Sequence, residues 1–264
     1  MEILSLKMSQ KNKKRAEKSH KGQNGKVLIV GGSKDYVGAV VLAGLACLRV
    51  GADYVMVCAP EKVAWTINTL TPDLITKKFK GDYFSLSQAR KIKDLAKEYD
   101  VLLIGNGLGD KSASFVKALT SLKITKVIDA DAIKAVKLQD LDNALITPHE
   151  AEFATLLKNS KLAKKTLQKN IGTNVVLLKG HTDTIISQKR AKENHTGNPG
   201  MTKAGTGDVL AGLSAGFLSQ GYTLFEAASR AAYYNGKIGD LLLKKHRGFT
   251  YLASDMVNEI RRFA

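Results

Sequence analysis

Cysteine and proline are scarce in this chain: 264 residues carry two cysteines and four prolines. Cys47 and Cys58 lie in apolar segments, with no histidine or further cysteine at metal-ligand spacing. They read as buried free thiols of a reducing compartment, so the expected location is the cytoplasm. There is no Pro/Ser-rich linker, internal repeat or low-complexity tract, and one domain over residues 1–264 is the economical reading. No apolar run approaches the roughly 20 residues that cross a bilayer. The N-terminus is charged and lacks the apolar segment of a secretory signal. Aromatic residues make up 6% of the chain, and none interleave with its basic run as a base-stacking platform requires.

Acidic residues are also in short supply. Lys and Arg number 41 against 24 Asp and Glu, a net charge of +17. Residues 1–26 hold eight bases and two acids, so residues 1–20 read as a basic, partly mobile N-terminal arm. The remaining excess is spread as lysines on expected helix faces, as in KKFK (77–80) and LLLKKHR (241–247). A solvated lysine-rich surface accounts for this pattern, with a basic surface that attracts a polyanionic small molecule such as a nucleotide as the alternative. It calls for neither nucleic acid nor membrane.

What the chain does contain is alternation. Short apolar runs at 27–31, 54–58, 101–104, 126–128, 144–148 and 174–180 read as buried strands. Helical patterns separate several of them, at 39–51, 112–119 and 149–157. DTIIS (183–187) pairs plausibly with NVVLLKG, and three helices finish the chain from Asp208 onward. The pattern predicts an α/β fold with a mostly parallel central sheet covered by helices on both faces. Ligands of such sheets bind beyond the carboxyl ends of the strands. Five special loops sit there: GGS after VLIV, GNGLG after VLLI, DAD after KVI, TPHEAE after ALI and KGHTD after VVLL.

The most informative segment is AGTGD (204–208), followed by the apolar run VLAGLSAGFL. Gly205 and Gly207 flank Thr206, so backbone N–H groups can point from a helix N-terminus toward an anion. Asp208 stands directly beside that anion site. Binding phosphate alone does not call for a carboxylate there, whereas deprotonating a hydroxyl about to meet a phosphoryl group does. The plainer alternative is an acidic residue in a first helical turn.

Taken in order, SHKGQNGKVLIVGGSKDYVGA (19–39), AGLACLRVGADYV, TPDLI (71–75), GNGLG, IDADAI, TPHEAEF, LLKGHTD and GNPGMTKAGTGDVLAG resemble the NAD(P)H-hydrate dehydratases. These form a branch of the ribokinase-like superfamily, and the resemblance covers about nine tenths of the chain. It implies a ribokinase-like three-layer fold and dehydration of the S epimer of hydrated NADH or NADPH. The co-substrate is ADP in bacteria and archaea, releasing AMP and phosphate, or ATP in eukaryotes, with Mg²⁺. It also implies a homo-oligomer, often a tetramer, and a functional link to an epimerase. The chain is too short for the epimerase domain that many members carry, which implies a stand-alone dehydratase.

By the same resemblance, Asp208 is the catalytic base, with Gly205, Thr206 and Gly207 holding the transferring phosphoryl group. Lys179, Gly180, His181, Thr182 and Asp183, together with Gly207, face the nucleotide. Tyr36, Ala39, Gly107, His149, Asn198 and Asp208 face the hydrated nicotinamide nucleotide. His149 can equally cap a helix, and Asn198 can equally hold the turn before Pro199. The Mg²⁺ ligands stay unassigned, with Glu150 and Glu152 or Asp129 and Asp131 as rival pairs. Two departures stand out. GNGLG replaces the usual GPGLG, and Thr202-Lys203-Ala204-Gly205 replaces two small residues and two glycines, with Lys203 adding a cation near the phosphate. The competing function is a small-molecule kinase of the same superfamily, of the hydroxyethylthiazole or hydroxymethylpyrimidine type. A binding-only protein is disfavoured, since it has no use for a buried base.

Overall fold

The computed structural model describes residues 2–4 and 15–263. In chain order the first half contains β1 (Glu2–Ile3), β2 (Lys26–Val30), α1 (Gly38–Val50), β3 (Tyr54–Pro60), α2 (Glu61–Leu70), β4 (Ile75–Phe79), α3 (Leu86–Ala96), β5 (Val101–Ile104), α4 (Ala113–Thr120) and β6 (Thr125–Ile128). The second half contains α5 (Asp131–Ala135), β7 (Ala144–Ile146), α6 (Glu150–Ser160), α7 (Leu167–Asn170), β8 (Val175–Leu178), β9 (Asp183–Ile186), β10 (Ala191–Asn194), α8 (Thr206–Ser219), α9 (Leu224–Lys245) and α10 (Ala253–Glu259).

Ten strands form one sheet in the order β1-β10-β9-β8-β7-β6-β5-β2-β3-β4. Both antiparallel pairings involve β9, so it alone runs against the rest. Strict alternation divides the side chains between two cores. Val27 and Ile29 join the α1, α2, α8, α9 and α10 layer, while Leu28 and Val30 join the α3 to α7 layer. This is the covered, mostly parallel sheet expected from the strand runs, which are apolar on both faces because both are buried.

The contact between α1 and α8 fixes the direction in which α8 points. A Cβ on Gly212 would lie 2.2 Å from the Ala43 carbonyl oxygen, and one on Gly216 would lie 2.3 Å from Val50 Cγ1. The two helices therefore touch backbone to backbone, and the Cys47 thiol donates to the Gly212 carbonyl at 3.1 Å. Burial pushes that thiol up, out of reach of ionisation, as expected for a structural cysteine.

Two expectations need correction. KKFK (77–80) does not lie on a helix, because residues 75–79 are the edge strand β4. Lysines suit such an edge, since they discourage pairing with another chain. The N-terminal arm is only partly visible: residues 5–14 lie outside the described residues. Of the rest, Glu2 and Ile3 pair with β10, and the Arg15 guanidinium meets Asp53 at 2.8 Å.

Candidate functional site

The carboxyl ends of β2, β5, β6, β7 and β8 converge on the N-terminus of α8. Gly205 precedes that helix with φ 94°, a left-handed conformation that glycine takes without a Cβ clash. Ala204 is not left-handed, so its replacement of a glycine costs nothing there. On the opposite wall, Gly105 is forced by contact, because a Cβ there would lie 1.7 Å from the Asp129 carbonyl oxygen. The next loop does hold strain. Ala130, between Asp129 and Asp131, has φ 48°, which an L residue adopts only when its surroundings impose it.

A polar network occupies this junction. The Asn106 amide nitrogen donates to Asp208 Oδ1 at 2.6 Å and to Asp129 Oδ2 at 2.9 Å. Asp129 Oδ1 accepts the Thr147 hydroxyl at 2.7 Å and the Lys179 ammonium at 3.0 Å. Lys179 Nζ also lies 3.9 Å from Glu152. Burial, reinforced by the Asp129 charge, pushes the Asp208 carboxyl up to about 6, against the opposing pull of Asn106 and Lys179. Burial pulls the Lys179 ammonium down, but Asp129, Glu152 and Asp208 outweigh it and hold it above its ordinary value. An acid tuned near neutrality beside a lysine and a helix N-terminus is equipped to take a proton and to receive an anion.

Asp208 lies between Gly207, which lines a cavity, and the Asn106 loop, to which it is hydrogen-bonded. The cavity, of about 600 Å³, is lined by His149, by the whole run Lys179 to Asp183, by Asn198, and by Thr206 and Gly207. At the Asn106 loop Tyr36, Ala39 and Gly107 meet. A Cβ on Gly107 would lie 2.8 Å from Tyr36 Cβ and 3.4 Å from Ala39 Cβ. The sequence-predicted residues thus fall into two groups, with Asp208 and Asn106 between them.

Several of these side chains are already engaged. The His149 ring caps α6: Nδ1 accepts from the Ala151 and Glu152 backbone N–H groups, which leaves the proton on Nε2. Asn198 holds its turn, with Oδ1 accepting from Gly200 N and the Tyr251 hydroxyl while its amide faces Asp240. The Thr206 hydroxyl donates back to the Met201 carbonyl at 2.6 Å. Lys203 is a correction. Its ammonium is turned toward the Phe249 and Tyr251 carbonyls rather than the helix N-terminus, so it adds no cation to the anion site.

Most carboxylates of the rival metal pairs already accept hydrogen bonds. Asp129 accepts from three donors, Asp131 from Gly109 N and Lys134, and Glu152 from His149 N, while Glu150 is exposed. Among the described residues no three His, Cys, Asp or Glu side chains converge. The donor set therefore does not fit a Mg²⁺ held by the protein alone.

In the sequence Asp129 stands out only as a candidate metal ligand and Asn106 only as the departure from GPGLG, and Thr147 does not stand out. The one signal available was the polar residue inside GNGLG.

The family model for NAD(P)H-hydrate dehydratase matches residues 27–262. A bifunctional NAD(P)H-hydrate repair enzyme of Methanothermobacter thermautotrophicus is 40% identical over 261 residues, covering 92% of this chain and 50% of that protein. The chain spans about half the length of the bifunctional relatives it matches. An ADP-dependent (S)-NAD(P)H-hydrate dehydratase of Cenarchaeum symbiosum is 34% identical over 256 residues, covering 92% of this chain and 89% of that protein. Among solved structures, an ADP/ATP-dependent NAD(P)H-hydrate dehydratase of Bacillus subtilis, co-crystallised with ATP and Mg²⁺, superposes with a TM-score of 0.78. It is 26% identical and covers 95% of this chain and 94% of that one. The architecture is ribokinase-like, as the resemblance implied, and the alternating strands and helices form the expected mostly parallel sheet. With its fold, its loops at the strand ends and Asp208 at the start of α8, this chain belongs to the NAD(P)H-hydrate dehydratase family.

Proposed function

We propose that this chain dehydrates the S epimer of hydrated NADH or NADPH at the expense of ADP, releasing AMP and phosphate. The observation that carries the reading is the position of Asp208. It stands in the first turn of α8 with a carboxyl near neutrality, next to the cavity-lining Gly207 and hydrogen-bonded to Asn106, whose neighbour Gly107 packs on Tyr36 and Ala39.

In this reading the nucleotide fills the cavity, its terminal phosphate lying between Lys179 and the N–H groups around Gly205, Thr206 and Gly207. The hydrated nicotinamide ring approaches along Tyr36, Ala39 and Gly107. Asp208 accepts the proton of the ring hydroxyl as its oxygen forms a bond to the β-phosphorus of ADP. The bond from that phosphorus to the bridging oxygen breaks, and AMP leaves. Preorganised N–H groups stabilise the charge on the transferring group. Hydroxide is a poor leaving group and phosphate a good one. The ring nitrogen's lone pair then expels phosphate, the ring loses a proton, and the dihydronicotinamide is restored. His149 and Asn198 support the site by holding α6 and the 198–202 turn in place. A Mg²⁺ would neutralise charge on the nucleotide phosphates, and with water completing its shell it would call for few protein carboxylates.

The test is to incubate the protein with hydrated NADH, Mg²⁺ and either ADP or ATP. Return of the dihydronicotinamide absorbance, faster with ADP, is the expected result. A phosphorylated small molecule accumulating without that return would instead favour the kinase reading.

A further inference from the structure

We infer that Asn106 is a positioning residue for the base, holding Asp208 in its reactive orientation and coupling it through Asp129 to the lysine on the nucleotide side. The inference rests on Asp208 being the base and concerns how that base is held.

The geometry is specific. Asn106 is completely buried in the loop after β5, and its amide nitrogen reaches two carboxylates that come from the ends of two other elements. Only the nitrogen can sit between two carboxylate oxygens, since an amide oxygen there would be repelled by both. The orientation of the amide is thereby fixed by chemistry. The consequence is unusual: Asn106 Oδ1 is left buried with no hydrogen-bond partner. An unmet buried acceptor is destabilising, and such groups persist where something else requires them. A turn residue chosen for shape alone would not carry that cost. A proline, which the resemblance implies at this position, would carry neither the cost nor the donors.

The two donors explain the requirement. Asp208 must keep one oxygen free for the incoming hydroxyl, and among the described residues Oδ2 accepts no hydrogen bond. Pinning Oδ1 to Asn106 leaves Oδ2 as the free oxygen. The second donor reaches Asp129, whose other oxygen holds the Lys179 ammonium. A continuous path therefore runs from Asp208 through Asn106 and Asp129 to Lys179, joining the group that takes the proton to the cation facing the cavity. Misplacing a reacting group by about 1 Å can cost roughly a hundredfold in rate.

The experiment is a double-mutant cycle on the full chain with Asn106→Ala, Asp208→Asn and the pair, measuring kcat and both KM values. Asn106→Ala is expected to lower kcat by about tenfold to a hundredfold. Both KM values should stay within about threefold, since neither substrate loses a contact. In the Asp208→Asn background the same change should cost less than about twofold, because Asn106 acts through the missing carboxylate. A full additional loss in that background, or a raised KM with unchanged kcat, would overturn the inference. Asn106→Ser keeps a hydroxyl donor in a smaller side chain. It should lose less kcat than the alanine variant, and it carries the same cycle should alanine not fold. Near wild-type activity of Asp208→Asn alone would instead remove the base assignment, which separates the two failures.

Discussion

Two glycines of α8, five residues apart, should fail in opposite ways when given a side chain. A Cβ on Gly207 meets only Lys179 Nζ, at 3.5 Å, an ordinary contact, and its backbone is not left-handed. Gly207→Ala should therefore fold as well as wild type, because alanine is no worse than glycine in a helix. The new methyl points toward Lys179, into the space where the terminal phosphate is proposed to lie. Gly207→Val fills more of it at no cost in helix propensity, since valine ranks above glycine. Loss of one preorganised donor to a transition-state anion costs about 2.7–4 kcal/mol, so kcat of the valine variant should fall by about a hundredfold to a thousandfold. Gly212→Ala is the counterpart. Its Cβ would lie 2.2 Å from the Ala43 carbonyl oxygen and 2.8 Å from Ala46 Cβ, so α1 and α8 must separate. Overpacking of that kind costs about 1–3 kcal/mol, a melting-temperature fall of roughly 2–12 °C for a chain of this size. Its kcat per folded molecule should stay within a few-fold. The assays are thermal unfolding and return of dihydronicotinamide absorbance. Wild-type kcat in Gly207→Val would refute the anion-site reasoning, and an unperturbed melting temperature in Gly212→Ala would refute the packing argument.

Other expectations follow from the same geometry. The rate should fall as pH drops through about 6, because Asp208 must be ionised to act and its carboxyl lies there rather than at the ordinary 3.8; a limb near 4 would contradict its environment. Because the folded value exceeds the unfolded one, this group's contribution to stability is full below about pH 4 and lost as pH rises through about 6, in all about 3 kcal/mol. Asp208→Asn should therefore raise the melting temperature at pH 7–8, and a lowered one in calorimetry would contradict the burial penalty. Lys179→Ala should raise the nucleotide KM by at least about tenfold while changing substrate KM little. It should also lower the melting temperature, since Asp129 loses its cation; removing one partner of a buried pair costs about 3–5 kcal/mol. Equal effects on both KM values would count against its placement on the nucleotide side.

Much of the fold was legible because buried parallel strands are apolar on both faces, as in VLIV, VLLI and VVLL, and glycine loops end them. Two strands that escaped notice are set by neighbours rather than by local pattern. The strand β10 has the sequence AKEN, with no apolar alternation, and forms because β9 and β1 pair with it. The edge strand β4 carries lysines that read equally well on a helix. The candidate site was legible as loops and as Asp208 but not as a network. Asn106 reaches Asp208 across 102 positions of sequence, and Asp129 reaches Lys179 across 50. No local pattern encodes which buried donor meets which carboxylate. Lys203 shows the reverse error: near the anion site in sequence, it is turned away by two carbonyls from the 249–251 segment.

The central claim is that Asp208 takes a proton rather than holding the nucleotide. A carboxylate beside a phosphate repels it, so removing the charge should not weaken nucleotide binding. The most direct measurement pairs ADP affinity by calorimetry with the repair rate for hydrated NADH, in wild type and Asp208→Asn. The account predicts ADP binding at least as tight as wild type, with turnover lower by about a hundredfold to ten-thousandfold, the range of general-base catalysis. Retained turnover, or lost ADP binding in a folded variant, would contradict it.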